Sequence, residues 1–118
     1  MIQGRPSREQ KIEMFEKTIA IIGDKWSLLI IGQLAFGKNP NRFNELMREL
    51  KPISSRTLSI KLLKLVDQKI IEKTIEGNSP PHTQYVLTEK GADLVEAFKA
   101  LGKWSKKWQR RPKEYEVS

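Results

Sequence analysis

The stretch from Lys51 to Gln68, KPISSRTLSIKLLKLVDQ, carries the pattern on which the fold turns. Pro52 is poorly suited to a helix interior, and Ser54 or Ser55 just after it can accept from the orphan N–H groups of a first turn. A helix therefore starts there. Leu58, Leu62, Leu65 and Val66 recur at three- and four-residue spacing, which gives one apolar stripe able to dock on a core. The opposite face carries Ser55, Arg56, Ser59, Ile60, Lys61 and Lys64. Between Lys51 and Lys64 there are four basic residues and no acidic one. A helix entering the DNA major groove needs this set: short hydroxyls at its start, an Arg able to bond guanine bidentately, and Lys for phosphate. A solvated amphipathic helix shows the same pattern, so the neighbouring segments have to decide.

Composition narrows the choice. At 118 residues the chain fits a single domain spanning 1–118. The 22 Lys and Arg against 14 Asp and Glu give a net charge of +8, which favours a polyanionic partner. No stretch approaches the roughly 20 apolar residues that span a bilayer, and MIQGRPSREQKIE lacks an apolar leader core, so a cytoplasmic protein without membrane contact is expected. With no Cys there is no disulfide, thiolate metal site or thiol nucleophile. His82 is the single histidine, and no phosphate-loop, nucleophile-elbow or zinc-helix motif occurs. Neither an enzyme nor a bound metal or cofactor is expected.

Around the central stretch the chain alternates pattern. Residues 1–10, with Arg5 and Arg8, read as a mobile basic arm. Phe15, Ile19 and Ile22 follow helical spacing over 12–23, with an apolar stripe too broad for one partner. Asp24 caps a second helix through Trp26 to Phe36, with Trp26 as a core anchor. Arg42-Phe43 reads as a one-bridge strand, and Asn44 caps a short helix, NELMREL. Two short helices joined by a tight turn, the second basic, make a helix-turn-helix over 44–68. After it the period changes: Ile70, Ile71 and Ile75, then Gln84 to Leu87, form a β-hairpin wing over 70–88 around the loop EGNSPPHT. Its tip suits minor groove or phosphate backbone, with Asn78 and His82 as candidate contacts. Thr88 caps a last helix over 89–111, where Leu94, Phe98, Leu101, Trp104 and Trp108 form a stripe that wants a second subunit.

The segments FEKTIAIIGDKWSLLIIGQL, RFNELMREL, PISSRTLSIKL and PPHTQYVLTEKG together resemble the HxlR-type winged helix-turn-helix transcriptional regulators, relatives of the MarR-like group. The resemblance runs from about Met14 to Trp104. It implies an α+β, mostly α fold with a two-stranded β-hairpin wing and N- and C-terminal dimerisation helices. It further implies a homodimer on a pseudo-palindromic double-stranded DNA operator. Carried over by position, Ser54, Ser55, Arg56, Thr57, Ser59 and Lys61 face DNA, joined here by Lys64 and Arg42, while Leu58, Leu62 and Leu65 face the core. Phe15 and Ile19 of the first helix and Leu94 to Trp108 of the last form the dimer seam. The chain departs from many members in having no Cys near Glu13-Met14 and in carrying His82 where the wing usually has Arg. A small-molecule effector is left open, as is a second reading, a winged-helix module that binds a protein partner or structured RNA.

Overall fold

The computed structural model describes residues 4–78 and 80–109. Its first helix, α1 (Arg8–Ile22), begins where Ser7 and Gln10 close a capping box: the Gln10 N–H donates to the Ser7 hydroxyl, and the Ser7 N–H to the Gln10 side chain. The basic-arm expectation for residues 1–10 is thereby corrected, because Arg8 to Gln10 are the first helical turn; residues 1–3 lie outside the described residues. Helix α2 (Lys25–Phe36) starts at Asp24, whose carboxylate accepts from the Ser27 N–H as expected. The two helices meet at 83°.

Strand β1 (Asn41–Arg42) leads into α3 (Phe43–Glu49), then α4 (Ser55–Asp67), β2 (Ile71–Glu76), β3 (His82–Leu87) and α5 (Glu89–Trp108). The start of α3 corrects the expected Asn44 cap. Arg42 holds the cap position, and its N–H donates to the Glu45 carboxylate three residues on. The wing hairpin pairs antiparallel from Ile71↔Leu87 to Glu76↔His82, so His82 and Thr83, expected in the loop, lie in the strand. Because β1 adds along β3 at Asn41↔Tyr85, the sheet has three strands in the order β1-β3-β2.

The core lies where α2, α3, α4 and the sheet meet. Ile30, Ile31 and Leu34 of α2 pack with Leu46, with Leu58, Leu62 and Leu65 of α4, and with Ile71 and Tyr85. Trp26 is half-buried against this cluster. The α4 stripe thus buries the three leucines that its spacing predicts, each adding about 2 kcal/mol of transfer free energy.

Helix α4 ends in a Schellman turn. Lys69 sits in the left-handed region at φ 63, its N–H donates to the Val66 carbonyl, and the Ile70 N–H reaches back to Leu65 at 3.0 Å. The next contacts join this turn to α5. The Thr88 hydroxyl accepts from the Gly91 N–H and donates to the Lys69 and Ile70 carbonyls, and Lys90 Nζ donates to the Gln68 carbonyl at 2.7 Å. Gly91 is required at this crossing because a Cβ there would collide with the Ile70 carbonyl oxygen. The exit of α4 and the start of α5 are therefore one rigid corner.

Candidate nucleic-acid interface

Three leucines anchor α4 to the core, and the residues opposite them are left in solvent. Ser55, Arg56, Ser59, Ile60 and Leu63 are all exposed. At the first turn Ser54 is the N-cap: its hydroxyl accepts from the Thr57 N–H at 3.0 Å and donates to the Thr57 hydroxyl at 3.0 Å. Ser54 and Thr57 are thus engaged with each other, which orients the helix start and leaves Ser55, Arg56 and Ser59 exposed, without a side-chain partner among the described residues. Leu63 was not foreseen on this face; its position one turn beyond Ser59 and Ile60 was the available signal.

Lys61 and Lys64 turn sideways from that face. Lys61 Nζ lies 3.5 Å from Asp24 Oδ1, and Lys64 Nζ donates to Asp24 Oδ2 at 3.2 Å. Burial pushes the Asp24 carboxyl up, but hydrogen bonds from the Ser27 N–H and hydroxyl, then Lys64 and the Lys61 charge, outweigh it and hold the group well below the usual carboxylate range. The sequence reading placed both lysines toward phosphate, whereas the structure puts an internal carboxylate between them.

The wing base makes a second polar surface. Arg42, Asn44 and Arg48 face Pro81 and His82 across a recess of about 480 Å³. Within the sheet the Arg42 guanidinium lies 3.6 Å from Glu76, which also accepts from Gln84 at 2.6 Å. Arg42 and His82, far apart in sequence, are brought together by the β1–β3 pairing. Arg48 joins them, and sequence pattern held no signal for it because the recess exists only once α3 meets the wing. Asn78 stands apart and exposed in the loop beyond β2. Among the described residues, no three His, Asp or Glu side chains cluster closely enough to hold a metal ion.

An outward helix face carrying one Arg among hydroxyls, braced by a neighbouring helix and flanked by a hairpin, is the geometry of a winged helix-turn-helix. The HxlR-like helix-turn-helix family model matches residues 21–113. The chain belongs to that family. It is 32% identical over 94 residues to the HTH-type transcriptional regulator YvaP of Bacillus subtilis (strain 168), covering 80% of this chain and 85% of the relative. The solved structure of the redox regulator HypR in its oxidized form superposes with a TM-score of 0.73 at 28% identity, covering 82% of this chain and 98% of that one. A putative HTH-type regulator, YtcD, gives 0.74 at 29% identity, covering 82% and 97%. This HxlR-like protein is a transcriptional regulator with a winged helix fold, not an enzyme.

The HxlR-like chain leaves two apolar surfaces open. Every residue of α1 from Arg8 to Ala20 is exposed, including Ile12, Phe15 at 65% and Ile19. Helix α5 has two faces. Phe98 is only 8% exposed and Leu94 packs against the same core, whereas Leu101, Trp104 and Trp108 are open to solvent. The assignment of Phe98 to a partner-facing seam is therefore corrected: its ring lies against Phe36 and over Gly32 inside the chain. Arg110 and Arg111, the expected end of this helix, lie outside the described residues. Among the described residues no single helix is long and apolar enough to cross a membrane.

Proposed function

We propose that this protein is a cytoplasmic, sequence-specific regulator of transcription that binds double-stranded DNA as a homodimer. The observation that carries the DNA reading is the exposed face of α4, where Arg56 stands in solvent between Ser55 and Ser59. Arg56 bonds a guanine edge, the two serines contact base edges or phosphate, and Arg42, Arg48 and His82 at the wing base meet the flanking backbone. Asn78 at the hairpin end adds affinity more than specificity.

The dimer reading is supported by α1. An isolated helix of its 15 residues is marginal in water, and this one has almost its whole length in solvent. Phe15 and Ile19 with Leu101, Trp104 and Trp108 form the seam, with Leu94 at its inner edge. A two-fold axis through that seam sets two α4 helices about 34 to 36 Å apart, one turn of B-DNA, or a multiple of it. Footprinting on DNA flanking the protein's own gene, with sedimentation of the same preparation, tests both parts. Protection of a short pseudo-palindrome by a dimer is the expected result. Uniform weak binding to all duplexes would favour an adaptor that docks on protein or structured RNA.

A further inference from the structure

Asp24 serves two elements at once. It caps α2, accepting the Ser27 N–H on Oδ1 at 2.9 Å and the Ser27 hydroxyl on Oδ2 at 2.7 Å. Asn or Ser caps a helix about as well as Asp, so capping does not require the charge. That charge sits where Lys61 and Lys64 converge from α4, with side chains 26% and 34% exposed. A carboxylate flanked by two ammonium groups reproduces what a DNA phosphate offers them: two anionic oxygens at hydrogen-bonding distance. The Ser27 bonds fix its orientation, and because the carboxyl titrates well below the usual carboxylate range it stays charged wherever duplex DNA is stable.

We propose that Asp24 is a positioning residue that stands in for a phosphate, holding Lys61 and Lys64 so that α4 is braced on the first turn of α2 and both lysines are withheld from non-specific DNA. The inference rests on the DNA-binding reading above. Its physical consequence is selective. Sequence-independent affinity grows with the number of phosphates neutralised, each contact steepening the dependence of log K on log salt by about 0.9. Removing two cations from that count weakens random binding while Arg56, on the outward face, keeps its reach to base edges. The brace also fixes the roll of α4 about its axis, which determines which base Arg56 meets.

Asp24→Asn and Asp24→Ser both keep a capping oxygen and remove the charge, and a thermal melt of each verifies the fold. The readout is the salt dependence of binding to a random-sequence duplex. Both variants should bind it more tightly than the wild type, with a slope steeper by about one to two units. Adding Lys61→Ala and Lys64→Ala to either variant should return the slope to the wild-type value. An unchanged slope in folded Asp24→Asn or Asp24→Ser overturns the inference, as does a steeper slope that persists after both lysines are removed. Wild-type protein that binds no duplex at any salt concentration instead defeats the DNA-binding reading, and the inference with it.

Discussion

The Phe98 ring lies against Phe36 with centroids 6.4 Å apart and planes tilted by 49°, so the middle of α5 is locked to the end of α2 within one chain. Phe98→Ala should therefore act on the monomer's own stability, costing about 3 to 5 kcal/mol in urea unfolding. A loss below about 1 kcal/mol would show that this seam is not core.

Leu101 and Trp104 lie on the other face of α5, and charges there should separate subunits without unfolding them. Leu101→Glu combined with Trp104→Glu should sediment as a monomer and retain the melting transition of the core. Amide exchange of residues 8–20 should become fast in the same variant, since α1 then has nothing to pack on. Protection of α1 in a proven monomer would contradict the pairing.

Arg56 has no ion-pair partner among the described residues and stands at the α4 start. Arg56→Ala should weaken binding to the footprinted site by about 1 to 3 kcal/mol and binding to random duplex by much less. Equal losses on both would make Arg56 a phosphate contact.

The Asp24 carboxyl titrates lower in the folded chain than in the unfolded one. Its contribution to stability is thus fully present above the unfolded value, near pH 4, and disappears as pH falls through the folded one. Chemical unfolding should find Asp24→Asn less stable than the wild type at neutral pH, with the gap closing below about pH 4. A gap independent of pH would mean that the ion pairs with Lys61 and Lys64 add nothing.

HypR is a redox regulator solved in an oxidized form. This chain has no Cys and cannot form a disulfide. Diamide at doses that leave Met14 and Met47 unoxidised should neither change its melting temperature nor release it from DNA. Release under those conditions would demand a non-thiol target.

Where a structural signal was local, the sequence carried it. Pro52, Ser54 and the leucine spacing gave α4 its start and inner face, and Asp24 gave the start of α2. SREQ held the α1 capping box just as openly, but the surrounding polar residues read as an arm. Two features were hidden for a different reason. Phe98 and Leu101 lie three residues apart on one stripe, and only the place of α2 separates the face packed inside from the face left open. Lys64 meets Asp24 across 40 residues of chain, so nothing in the local pattern of α4 could reveal that its cations already have an anion.

The corner of Thr88, Gly91 and Ile70 and the contact of Phe98 with Phe36 hold α5 at two points along its length. At 1.5 Å per residue its 20 residues span about 30 Å, and Leu101, Trp104 and Trp108 lie beyond the second hold. In the proposed dimer, the separation of the two α4 helices is then built into the length and fixed direction of α5 rather than into a hinge. Such an arm works as a ruler, keeping one distance between the pairing seam at its far end and the outward face of α4.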